Sequence, residues 1–112
     1  PDGMTIDAAG HLWSARWNGS GIHHYHPTGK HHSKIELPVK KVSCITFGGD
    51  NYDSIFISTA RGDDPTPEES RYSNAAGDIF HMKADVKGRP ERFSCILLAP
   101  YSYDTAPTPI QP

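Results

Sequence analysis

The sequence predicts an all-β chain of short antiparallel strands, and three observations carry that expectation. Apolar and polar residues alternate at period two in several short runs. The runs are separated by clusters of Gly, Pro, Asn and Asp, which punctuate strands. The whole pattern then starts again after roughly forty residues, a spacing typical of repeated β-units.

The first unit opens with Met4-Thr5-Ile6-Asp7, a short β-prone run closed by Ala8-Ala9-Gly10. His11-Leu12-Trp13-Ser14-Ala15-Arg16-Trp17 alternates as a half-buried strand should. Asn18-Gly19-Ser20-Gly21 is a turn cluster of residues that tolerate positive φ. Ile22 to His26 is a third strand, ended by Pro27-Thr28-Gly29, and His32 to Leu37 is a fourth, ended by Pro38. Four strands with tight turns in this length read as one propeller blade.

Val42 to Phe47 begins the second unit, followed by the turn Gly48-Gly49-Asp50-Asn51. Ser54 to Arg61 and Gly77 to Met82 are its next strands. Aligning the units places Thr5-Ile6 on Thr46-Phe47, Leu12-Trp13 on Ile55-Phe56, and Gly21-Ile22 on Asp78-Ile79. The stretch from Gly62 to Ala76 carries Pro65, Pro67, Asp63, Asp64 and Glu68 without apolar period, so it reads as an exposed, solvated insertion. Past the loop Val86 to Pro90, Ser94-Cys95-Ile96-Leu97-Leu98 is an apolar run that fits a strand. Tyr101 to Pro112 has three prolines and no pattern, and mobility is expected there.

At 112 residues the chain is long enough for one modest domain with a small core. A formal charge of −2 leaves no basic footprint, so no nucleic-acid partner is expected. No run of about 18 apolar residues suggests a membrane span, and no signal peptide is visible. The chain starts without Met in what reads as a site loop, so a fragment is expected. The expected compartment is the cytoplasm, with secretion kept as the alternative. Cys44 and Cys95 each lie in an apolar run and read as small buried hydrophobes; two cysteines make no disulfide framework.

Several motifs in order resemble one family. Pro1-Asp2-Gly3-Met4, then Ile6-Asp7 and Leu12-Trp13, resemble the Pro-Asp-Gly blade of the gluconolactonase/regucalcin (senescence marker protein) family. Asn18-Gly19, Pro27, Gly29 and Leu37-Pro38-Val39 fit the same stretch, and Phe47-Gly48-Gly49 and Thr59-Ala60-Arg61 the following blade. Gly77-Asp78-Ile79-Phe80 and Val86-Lys87-Gly88 match the closing part. The likeness covers about residues 1 to 93; the residues from Ser94 onward depart from it as a divergent tail. It implies the C-terminal part of a six-bladed β-propeller, about two blades plus part of a third. It also implies hydrolysis of a sugar lactone with one divalent metal ion (Ca, Zn, Mg or Mn). The family's ion is held by a Glu, an Asn and the Asp of the Pro-Asp-Gly motif. That Asp is Asp2, the candidate metal ligand and catalytic residue; the Glu and Asn have no counterpart in this chain. The rest of the propeller would be needed to complete the site, and the chain by itself is expected to be inactive. A non-catalytic propeller that binds or scaffolds is the alternative, since fold alone does not decide function.

The remaining candidates have plainer readings. Asp2 without that context would be a turn residue. Asp7 reads as a turn cap. His24 and His26 share one strand face and His23 the other, a spacing able to bind a transition metal but more often a half-exposed surface. His11 and His81 read as singles. Ser43 takes the place in the second unit that Asp2 holds in the first, but no Gly-x-Ser-x-Gly elbow accompanies it, which argues against a serine hydrolase. Trp13, Phe56 and Phe80 read as inter-blade core, and Arg61 as a surface residue.

Overall fold

A computed structural model describes residues 1–62 and 75–92. Most of the expected insertion, the apolar run at 94–98 and the tail lie outside the described residues. Seven strands form two antiparallel sheets. The first holds β1 (Met4–Ile6), β2 (Leu12–Arg16), β3 (Gly21–Tyr25) and β4 (His31–Glu36), in that order. The second holds β5 (Lys41–Gly48), β6 (Ser54–Ala60) and β7 (Ile79–Lys83). Within each sheet every strand pairs antiparallel with the next in sequence; short turns join these pairs except β6 and β7, which a longer connection links. At the β2–β3 turn, Asn18 and Ser20 take up the positive φ at 63° and 54°.

The register bears out the alignment of the two units. In the first sheet Thr5 pairs with Trp13, and Trp13 with His24. In the second, Thr46 pairs with Phe56, and Phe56 with His81. Even the ring contacts recur: His24 stacks on Trp13 at 3.9 Å and His81 on Phe56 at 4.9 Å.

The sheets pack face to face, as adjacent propeller blades do. Trp13, Ala15 and Ile22 of the first sheet meet Val42, Ile45, Phe47, Ile55 and Ile57 of the second, and all are buried. The Trp13 and Phe47 rings meet nearly at right angles with centres 5.6 Å apart, a favourable aromatic geometry. Phe56 departs from the core expectation, with 39% of its surface exposed. Its position matches that of Trp13, but Trp13 faces the second sheet while Phe56 points away from both. Cys44 departs likewise: it follows the irregularity in β5 between Val42 and Cys44 and is exposed, not buried.

Where the sheets and the closing segment meet, two close approaches depend on glycine. A Cβ on Gly3 would stand 2.5 Å from Cys44 Sγ, where the start of β1 lies against β5. A Cβ on Gly88 would stand 2.2 Å from Phe47 Cβ, where the segment after β7 crosses the end of both sheets. There Gly88 forms a bridge with Asp7, and Ala8 N–H donates to Lys87 O at 2.8 Å.

Truncation should separate the covered face from the open one. Ile57→Ala removes a fully buried side chain and should cost about 3 kcal/mol. Ile79→Ala, at a side chain 71% exposed, should change stability by less than about 0.5 kcal/mol. Urea unfolding of the 112-residue chain followed by tryptophan fluorescence measures both.

Candidate functional site

The two ends of β1 carry different chemistry. At its start, Asp2 N–H donates to Ala15 O at 2.9 Å, and Ala15 N–H returns a bond to Gly3 O at 2.9 Å. Gly3 N–H then crosses to Ser43 O of β5 at 2.7 Å. The backbone around Asp2 is therefore tied to both sheets, where their first strands approach. Asp2 itself is exposed. The structure thus sets the backbone beside Asp2 against that of Ser43, the residue that takes the matching place in the second unit. Ser43 Oγ is hydrogen-bonded to Ser58 Oγ at 2.8 Å, a hydroxyl and not an imidazole base.

At the far end of β1 the Asp7 carboxylate is 1% exposed. Its Oδ1 accepts from Ala9 N–H at 2.9 Å and His11 N–H at 3.0 Å, and its Oδ2 from Trp13 Nε1–H at 3.0 Å. The turn-cap reading of Asp7 is met by the first two bonds. The tryptophan bond is the part that sequence reading missed, because it depends on where β2 places the indole. Burial pushes the carboxyl upward, but the bonds from Trp13, His11 and Ala9 outweigh it and hold Asp7 below the usual carboxylate range.

Beside it sit two histidines that the sequence leaves apart. His11 Nδ1 and His24 Nε2 are 2.9 Å apart, and His24 Nε2 is 3.8 Å from Asp7 Oδ2. His24 Nδ1 meets Ser33 Oγ at 3.2 Å. His24 is thus buried, not part of a half-exposed surface, and His11 is not a single. His26 and His32 flank them, with ring centres 5.1 and 5.8 Å from that of His11. The opposite face of the sheet holds His23, Tyr25 and His31, with the Arg16 guanidinium over the Tyr25 ring and bonded to its hydroxyl. The split of His23 from His24 follows strand alternation. The union with His11 follows from β2–β3 pairing, which brings residues thirteen apart together.

Comparison with known proteins covers both ends of β1. The family model described as SMP-30/gluconolactonase/LRE-like region matches residues 1–61. Pentonolactonase XacC of Haloferax volcanii is 43% identical over 94 residues, which is 81% of this chain and 32% of that protein. Human regucalcin is 41% identical over 105 residues, 92% of this chain and 32% of its own length. Among solved structures, the calcium-binding protein regucalcin of Agrobacterium tumefaciens superimposes with a TM-score of 0.75 at 29% identity, over 85% of this chain and 32% of that one. The chain therefore spans about a third of the length of these relatives.

The histidines make stability depend on pH. Burial holds His24 below its ordinary value of 6.5, and His11 and His32 push the same way against the pull of Asp7. Burial, with Arg16, His31 and Lys34, does the same for His23. The unfolded chain takes up these protons first, so stability is full above about pH 6.5 and falls as pH drops through the lower folded values. In metal-free buffer, the urea midpoint should decline from about pH 7.5 to about pH 5. His24→Phe, which keeps a ring on Trp13 and removes a titrating group, should flatten that decline. Asp7→Asn should cost about 2 kcal/mol at neutral pH, because three donors lose a charged acceptor; chemical denaturation reads this directly.

Proposed function

The chain belongs to the SMP-30/gluconolactonase/LRE-like family, and on that premise we propose that it forms part of a six-bladed β-propeller that hydrolyses a sugar lactone. Asp2 is the residue of this chain that holds a divalent metal ion in the channel. The observation that carries the reading is the placement of Asp2: an exposed carboxylate on backbone tied to both sheets by Ala15 and Ser43. A rigid oxygen donor at an inner strand suits a hard cation such as Ca²⁺ or Mg²⁺. The names of the relatives support lactone chemistry, pentonolactonase among them. The calcium-binding description of a structural neighbour supports a divalent ion.

When bound, the ion supplies Lewis-acid polarisation of the lactone carbonyl and a lower pKa for the attacking water. Asp2 would hold that ion and would accept a proton from the water. Water would add to the carbonyl carbon, the ring C–O bond would break, and the ring oxygen would take the proton that Asp2 had accepted, giving the open hydroxy acid. A serine nucleophile is disfavoured, because Ser43 is hydrogen-bonded to the Ser58 hydroxyl.

Two open faces support the further proposal that the chain is inactive unless the propeller is completed. Phe56 and Ile79 stand exposed on the second sheet, and Met4 on the opposite face of the first. Among the described residues, Ser14 Oγ and Arg16 Nε are buried without a partner. Such faces await neighbouring blades, and the isolated chain should self-associate.

In a full-length protein carrying this chain, Asp2→Ala should lower kcat/KM for lactone opening by about two orders of magnitude or more and weaken divalent-metal binding. The 112-residue chain should show no turnover above background. A pH-indicator assay of acid release measures both. Retention of activity and metal affinity in Asp2→Ala would defeat the assignment, while metal binding without any lactone opening would favour the non-catalytic module.

A further inference from the structure

We propose that Asp7, His11 and His24 form a second metal site, one that takes a transition-metal cation of the Zn²⁺ class and clips the first sheet together. It is separate from the proposed Asp2 site: the two aspartates flank β1 at opposite ends, about 16 Å apart along an extended strand. The ligand atoms are one carboxylate oxygen and two imidazole nitrogens, all within 4.8 Å of one another. Tetrahedral zinc with nitrogen and oxygen ligands at about 2.0–2.1 Å needs ligand atoms about 3.3 Å apart. The 2.9 Å between His11 Nδ1 and His24 Nε2 and the 3.8 Å from His24 Nε2 to Asp7 Oδ2 lie on either side of that value, while the set as a whole spreads to 4.8 Å. Seating an ion would draw the ligand atoms at the wide end of that spread inward by about 1.5 Å, a displacement within reach of side-chain rotation.

Two imidazole nitrogens this close share either a proton or a cation, and the surroundings favour the cation. His24 Nδ1 faces Ser33 Oγ at 3.2 Å, and a proton held there leaves the Nε2 lone pair free to ligate. The Trp13 indole stacks on the His24 ring at 3.9 Å and fixes its plane. Asp7 is oriented by the amides of Ala9 and His11 and by the Trp13 indole, and Oδ2 retains a second lone pair. The buried Asp7 carboxylate faces two imidazole rings, and a divalent cation between them would pair with its charge. Nitrogen-rich ligation selects Zn²⁺, Co²⁺, Ni²⁺ or Cu²⁺ over Ca²⁺ and Mg²⁺. The ion would join the β1–β2 turn to β3, with the ring of His32 on β4 lying 4.8 Å from that of His24.

Co²⁺ titration of the 112-residue chain in a Trp17→Phe background tests the site, because Trp13 is then the sole indole. The expected result is one equivalent bound, with tetrahedral visible absorption, quenching of Trp13 fluorescence, and no displacement by excess Ca²⁺. His11→Gln should weaken binding by about tenfold or more with unchanged far-ultraviolet circular dichroism. Asp2→Ala should bind Co²⁺ as the parent does. Should His11→Gln fail to fold, diethyl pyrocarbonate mapping of the parent replaces it: Zn²⁺ should protect the part-exposed His11 and leave His81 reactive. The proposal is overturned by absence of stoichiometric binding and quenching, by Co²⁺ affinity unchanged in folded His11→Gln, or by protection of other histidines instead.

Discussion

The Asp7 carboxylate is the constraint around which the described structure is arranged. A buried charge survives only when its oxygens are satisfied, and Asp7 meets that demand with two backbone amides and one indole. Each bond has a structural consequence. The amides of Ala9 and His11 close the turn that reverses β1 into β2. The indole bond fixes Trp13, which then presents one face to His24 and meets the Phe47 ring of the second sheet nearly at right angles. The backbone of Asp7 bridges to Gly88 and so holds the segment after β7 across both sheets. One carboxylate thus links a turn, an inter-sheet contact and the histidine cluster.

The two sheets are the same device in different surroundings. Trp13 and Phe56 occupy matching places, each with a histidine stacked on it. Trp13 is buried because a second sheet covers it, whereas Phe56 has the His81 ring on it but no described sheet opposite, and is exposed. Burial here is a property of the neighbour and not of the residue type. On the other face of the first sheet, Ser14 Oγ and Arg16 Nε are buried without a partner among the described residues.

The ends of β1 divide two kinds of donor. The start offers an exposed carboxylate on backbone stitched to both sheets, suited to a hard ion and a polar substrate. The far end offers imidazoles and a buried carboxylate, suited to a softer ion. The separation follows from the strand itself, since an extended segment of five residues keeps its two ends well beyond shared coordination.

Much of the architecture was legible in the residues. Period-two alternation located the strands, and the register later joined Thr5-Trp13-His24 to Thr46-Phe56-His81 as the alignment of units required. The family followed from ordered motifs, Pro1-Asp2-Gly3 first among them, and residues 1–61 match its model. Asp7 was readable as a turn cap because that bond is local. What sequence could not supply were the contacts made across strands and between sheets. The pairing of His11 with His24, the Trp13 bond to Asp7, and the exposure of Cys44 and Phe56 all depend on register and on which sheet lies opposite. Local chemistry sets which strands and turns form; only tertiary packing decides which faces are covered and which distant side chains meet, because those distances are fixed by neighbours and not by spacing along the chain.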